Sequence, residues 1–254
     1  MSRWDSAAMK RLGQVAADLH EVGVVTQVAT LARSTWSTNL ERHEPELGDT
    51  PLLLGLQCAE NLAQRVHRHY RALRPAPGSH GPASGTTAVT VSFVERALIV
   101  KAAGVELQLR KAPAGGGLVP DWAAMSHADG VHRLAAADAN SLAYRPEASD
   151  QDGRPSTLPS EDALWPLGDA GALRQVSLVW AGTEDGARTS GWLGFPSSGD
   201  IPWFAVQPLW WDEAGQDPGS RRRESSRTSD GFADRPAPTP VLRPRTQPRE
   251  SEGA

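Results

Sequence analysis

The hydrophobic period of this chain changes once, from about 3.6 residues to 2, across a stretch rich in Pro, Gly and Ser at residues 74–86. That change restricts the fold to helices first and strands afterwards. From Thr50 onward, Leu52, Leu56, Ala59, Ala63, Val66, Tyr70 and Leu73 recur at spacings of 4, 3, 4, 3, 4 and 3, a seam along one helical face. Thr50 is placed to cap this helix. Pro51 suits its first turn, where a missing N–H costs nothing, and Pro75 and Pro77 stop it. Upstream, Leu12, Val15, Leu19, Val22, Val25, Val28 and Leu31 also keep near-helical spacing, with a break expected near 21–24 around Gly23. A loop at 44–48 would let the two helical segments pair as an antiparallel hairpin.

Beyond the linker, Val89, Val91 and Phe93 alternate with Thr90 and Ser92. Residues 98–101, the turn Ala102-Ala103-Gly104 and the alternating Val105, Leu107 and Leu109 read as a β-hairpin. Residues 121–144 are expected to be helical, with Asp121 as cap, and the proline-rich stretch 145–171 is an excursion. Val176, Leu178 and Trp180 then begin three further strands, the others running from Trp192 to Phe195 and from Trp203 to Leu209. The expected fold is therefore α+β: an N-terminal helical hairpin, then an antiparallel β-meander with one or two helices, then a disordered C-terminal tail. In residue ranges this is a helical region 1–73, a linker 74–86, a sheet with helix 87–211 and the tail 212–254, rich in Pro and Arg and nearly devoid of aliphatics.

Composition sharpens this. Leu, Ile, Val and Phe make only 48 of 254 residues, yet the net charge is −4 and nine Trp can each bury about 150–250 Å². Tryptophan must then supply the core that aliphatics do not. Six of the nine (Trp165, Trp180, Trp192, Trp203, Trp210 and Trp211) fall on or beside the expected later strands. No stretch approaches the ~18 apolar residues of a membrane span. No leader pattern begins the chain, and the single cysteine, Cys58, permits no internal disulfide, so a cytosolic protein is expected. Among the basic residues 23 are Arg and 3 are Lys, which matches GC-rich codon usage.

No pattern specifies a reaction. There is no Gly-x-Ser-x-Gly elbow and no His-Glu-x-x-His pair, and the glycine run 115–117 lacks the Lys-Ser/Thr of a phosphate loop. His67 and His69 are splayed by about 200° on a helix, and the spacing of His127 and His132 is equally awkward, so neither metal nor cofactor is expected. Cys58, beside the helical seam, reads as a buried inert thiol. The reading is a non-catalytic interaction or regulatory protein whose partner, or second copy, is contacted through the N-terminal helical region, where Ala59 and Ala63 permit close helix approach. Its candidate surfaces are the basic cluster His67, Arg68, Arg71 and Arg74, able to hold an anion or a partner, and the adjacent pair Trp210 and Trp211. Neighbouring strand residues face opposite sides, so at most one of that pair enters a single core face, and the other is either covered by the N-terminal helices or exposed as an aromatic anchor. Two alternatives stand beside it. One is an enzyme of unrecognised class with a pocket beside the 121–144 helix, using Asp121, Asp129 and His132. The other is a weak nucleic-acid binder using the basic helix end and the Arg-rich tail.

Overall fold

The computed structural model describes residues 4–73, 89–95, 97–113, 117–125, 127, 130–145, 168–184 and 187–212. The 74–86 linker, Trp165, Asp129 and nearly all of the 212–254 tail lie outside the described residues. Three helices come first: α1 (Ser6–Glu21), α2 (Val24–Leu40) and α3 (Pro51–Ala72). Asp5 caps α1 by accepting from the Ala8 N–H at 2.7 Å, and Thr50 caps α3 by accepting from the Leu53 N–H at 3.2 Å. The break between α1 and α2 falls at Gly23, whose φ of +77° is a left-handed conformation that a Cβ would penalise.

α2 and α3 lie antiparallel, joined by polar contacts as well as apolar ones. Arg65 donates to the Thr35 hydroxyl at 2.9 Å, and Asn61 donates to the Asn39 side-chain oxygen at 2.8 Å. Asn39 in turn donates to the Thr35 carbonyl, so this buried amide is not left unsatisfied. The face that α3 buries is Leu54, Cys58, Leu62, Val66 and Tyr70. The seam expected from sequence is thus correct from Val66 to Tyr70 and misphased before it, because Leu52 and Leu56 point away from the core and Leu73 is exposed. A 4-residue step advances 400° around a helix, so both sets satisfy helical spacing, and only contact with α2, β1 and β3 chooses between them.

Six strands follow in sheet order β1 to β6: β1 (Thr90–Val94), β2 (Ala97–Ala102), β3 (Val105–Lys111), β4 (Gln175–Gly182), β5 (Thr189–Pro196) and β6 (Trp203–Trp211). All neighbours are antiparallel except β3 and β4, which run parallel and are joined through α4 (Val131–Ala143). A parallel pair needs such a crossover, and α4 supplies it. α4 is shorter than the expected 121–144 helix. Residues 122–124 form a separate turn, in which Asp121 accepts from the N–H groups of Ala123 and Ala124, and the helix starts only after Gly130. Asn140 fastens α4 to the sheet: its amide donates to the Gln175 and Pro196 carbonyls and accepts from the Gln175 N–H.

The sheet is buried on both faces. α1, α2 and α3 cover one face over Val176, Leu178, Trp180, Leu193, Phe195 and Trp210. The other face holds a smaller cluster around Trp122, Met125, Val179, Ala181, Trp203 and Val206. This explains why β4 is buried at six consecutive positions instead of alternating. Tryptophan supplies the bulk, and glycine makes room for it. The Gly191 Cα is flat against the Trp210 ring across the β5–β6 pair, and the Trp203 ring lies against Gly194.

Candidate functional site

The ladder between β2 and β3 extends only from Ala102↔Val105 to Ile99↔Gln108, while β3 continues along β4 to Lys111. Where β2 leaves, a cleft of about 510 Å³ opens. α3 forms one wall with Leu56, Ala59 and Ala63. The first turn of α4 forms another with Val131, His132 and Arg133, and the floor is Leu98, Leu109, Lys111 and Trp180. Gln108 ties the parts together by donating to the His132 carbonyl at 3.1 Å. Glu95 occupies the β1–β2 turn at φ +46°, which brings its carboxylate within 3.2 Å of His132 Nε2. That contact is an ion-pair distance without hydrogen-bond alignment, so the ring nitrogen keeps its donor or acceptor capacity.

Lys111 is the unusual group on the floor. It follows Val105, Leu107 and Leu109 in strand phase, so it faces the helices where an apolar side chain would normally sit. Its Nζ lies 5.1 Å from the ring centroids of both Trp36 and Trp180 and donates to the Ala112 carbonyl at 3.3 Å. Among the described residues it has no carboxylate partner. Burial pushes its pKa below the ordinary lysine value, an effect that the nearby Cys58 sulfur opposes. The indole faces favour the ammonium as well. Cys58 itself is fully buried, and burial lifts its thiol to about 11, which makes it a poor nucleophile, as its place beside the seam suggests.

On the opposite face of β3, Arg110 donates to His127 Nδ1 at 3.2 Å and lies 5.8 Å over the Trp203 ring. His127 Nε2–H donates to the Pro202 carbonyl at 2.6 Å, so both ring nitrogens are used by the neutral imidazole. Burial holds the His127 pKa below its usual 6.5, against the Pro202 hydrogen bond that favours the charged ring. The unfolded chain therefore binds a proton below about pH 6.5 that the folded chain refuses. Stability is expected to be fully present above that pH and to decline as pH falls toward the lower folded pKa. Urea unfolding at pH 7.5 and 5.5 measures the decline, and His127→Gln, which keeps the donor to Pro202, should reduce it; an equal decline in both proteins would remove His127 as the cause.

The residues singled out from sequence are dispersed. His67 is turned inward and its ring lies 5.0 Å from Phe93 of β1. Arg68 and Arg71 are exposed on α3, and Arg74 lies outside the described residues. Trp210 is buried and donates to the Thr189 hydroxyl at 3.3 Å, whereas Trp211 is 43% exposed and meets Trp192 edge-on at 6.0 Å. Of Asp121, Asp129 and His132, only His132 lines the cleft; Asp121 is exposed and engaged in its own turn, and Asp129 lies outside the described residues. Lys111, Glu95 and Gln108 are the site residues that sequence reading missed. Lys111 alone had a signal, a cation continuing an inward apolar alternation. Among the described residues no three His, Cys, Asp or Glu side chains converge as a metal site, and no helix is long and apolar enough to cross a membrane. The chain matches no protein-family model, no curated protein and no solved structure.

Proposed function

We propose that this chain is a non-catalytic interaction protein of the cytosol that works through its N-terminal helical region, and that the surface it uses is the leucine patch at the start of α3. The observation that carries this reading is the exposure of Leu47, Leu52, Leu53 and Leu56, at 79%, 67%, 50% and 61%. Four large aliphatics clustered within ten residues are unusual in a chain so short of them, and burying each leucine is worth about 1.5–3 kcal/mol. The occupant is a second copy. Glu44, Glu46 and Asp49 precede α3, while Arg68 and Arg71 close it. An antiparallel copy therefore sets acids against arginines at both ends of the contact, and a two-fold axis repeats each pairing. On the exposed ridge of α3, Gln57 and Gln64 carry no charge, and Glu60 between them accepts from the Gln64 amide at 2.9 Å.

Sedimentation equilibrium of the full chain over a hundredfold concentration range tests this. The native protein is expected to self-associate, and Leu52→Glu with Leu56→Glu to sediment as a monomer with unchanged helix content. A native chain that stays monomeric throughout, or a double variant that associates equally well, overturns the proposal.

A further inference from the structure

The cleft between α3, the β2–β3 split and α4 contains an ammonium without a counter-ion among the described residues. Burying a charge costs free energy unless a partner offsets it, and no described carboxylate stands beside Lys111. Two carboxylates do line the same cleft, but neither pairs with Lys111: Glu95 lies 3.2 Å from His132 Nε2, and Glu60 accepts from the Gln64 amide at 2.9 Å. Arg133, in the first turn of α4, adds a second cation with no carboxylate partner among the described residues, where the positive end of the helix already favours an anion. Gln108 and Arg110, the latter bonded to His127, also reach the wall, and the remainder is apolar, with the Trp180 ring, Leu98, Leu109, Ala59 and Ala63. Its volume of about 510 Å³ falls within the ~300–1,000 Å³ typical of small-molecule sites.

We propose that this cleft binds a small apolar carboxylate, with its head group against Lys111 and its hydrocarbon part against Trp180, Leu98 and Ala63. A carboxylate fits better than a phosphate. Of the three cations on the wall, Arg110 is already bonded to His127, and Lys111 is the one set against the Trp180 ring, where a single charge with a hydrocarbon part fits. Among the described residues the wall has one glycine, Gly130, and no run of converging glycine amides of the kind that holds phosphoryl oxygens. An ammonium ligand is excluded by repulsion from Lys111, and an uncharged one leaves Lys111 as it is. The cleft shares Leu56 with the proposed contact between copies, so binding is measured on the native chain, where a monomer that binds the carboxylate supports this inference while overturning the previous one.

Isothermal titration of the full-length protein with octanoate and with 1-octanol, which share a chain and differ in the head group, tests the assignment. Octanoate is expected to bind at least tenfold more tightly than octanol. Lys111→Met, which keeps the length of the stem and removes the charge, is expected to erase that preference and leave octanol binding unchanged. Lys111→Gln serves as the second variant, each being checked for a native melting transition first. Equal affinity for the two probes, no measurable binding of octanoate, or a preference that survives in the folded Lys111 variants overturns the proposal.

Discussion

Trp203→Ala is expected to lower the unfolding free energy by about 3–5 kcal/mol, the range for truncating a large buried aromatic. Trp203 is 2% exposed and sits at the centre of the smaller cluster, edge-on to Trp122 at 5.2 Å and to His127 at 4.8 Å. Its Nε1–H donates to the Trp122 carbonyl at 3.1 Å, which fastens the 122–124 turn over the sheet. Removing the ring leaves a cavity under that turn, an unsatisfied carbonyl and an Arg110 guanidinium without its aromatic cover. Trp203→Phe separates these parts, since it restores most of the packing and none of the hydrogen bond. Urea unfolding curves of the three proteins provide the measurement. A loss below about 1 kcal/mol in the alanine variant would mean that the second face of the sheet adds little to stability.

Gly191→Ala is expected to be nearly as damaging although it adds only a methyl group. A Cβ at this position would lie 2.0 Å from the nearest Trp210 ring atom, well inside any allowed contact. The ring cannot simply swing away, because it is buried and its N–H is bonded to the Thr189 hydroxyl. Overpacking of a close-packed interior commonly costs about 1–3 kcal/mol, and a clash against a rigid, pinned ring belongs at the upper end. A double-mutant cycle identifies the cause. With Trp210→Ala as background the same glycine substitution should cost a few tenths of a kcal/mol; an undiminished cost would place the strain in the β5 backbone instead.

The Gly191–Trp210 and Gly194–Trp203 contacts illustrate what was and was not legible beforehand. That Trp180 and Trp203 would be core could be read from a chain with too few aliphatics. That only one of Trp210 and Trp211 could be buried followed from strand geometry. Which glycine would receive which ring could not be read, because Gly191 and Trp210 become neighbours only through the β5–β6 register. The cleft behaves in the same way. His132 was picked out for its place in an expected helix, and it does line the cleft, but its companions Glu95 and Lys111 come from a turn and a strand end that no local pattern connects to it.

The local signals were sound where the physics is local. Caps at Thr50, the break at Gly23, the Ala103-Gly104 turn and the two hydrophobic periods depend on residues within about four positions of one another, and the structure has each of them. Tertiary contact decided the rest. On α3 both the Leu52–Leu56 set and the Leu54–Cys58 set have helical spacing, and burial against α2 and the sheet selected the second, leaving the first as an exposed patch. The parallel β3–β4 pair was decided likewise by the α4 crossover. Periodicity states that a helix or strand has an apolar face, but the free energy that chooses among competing faces comes from partners far away in the chain.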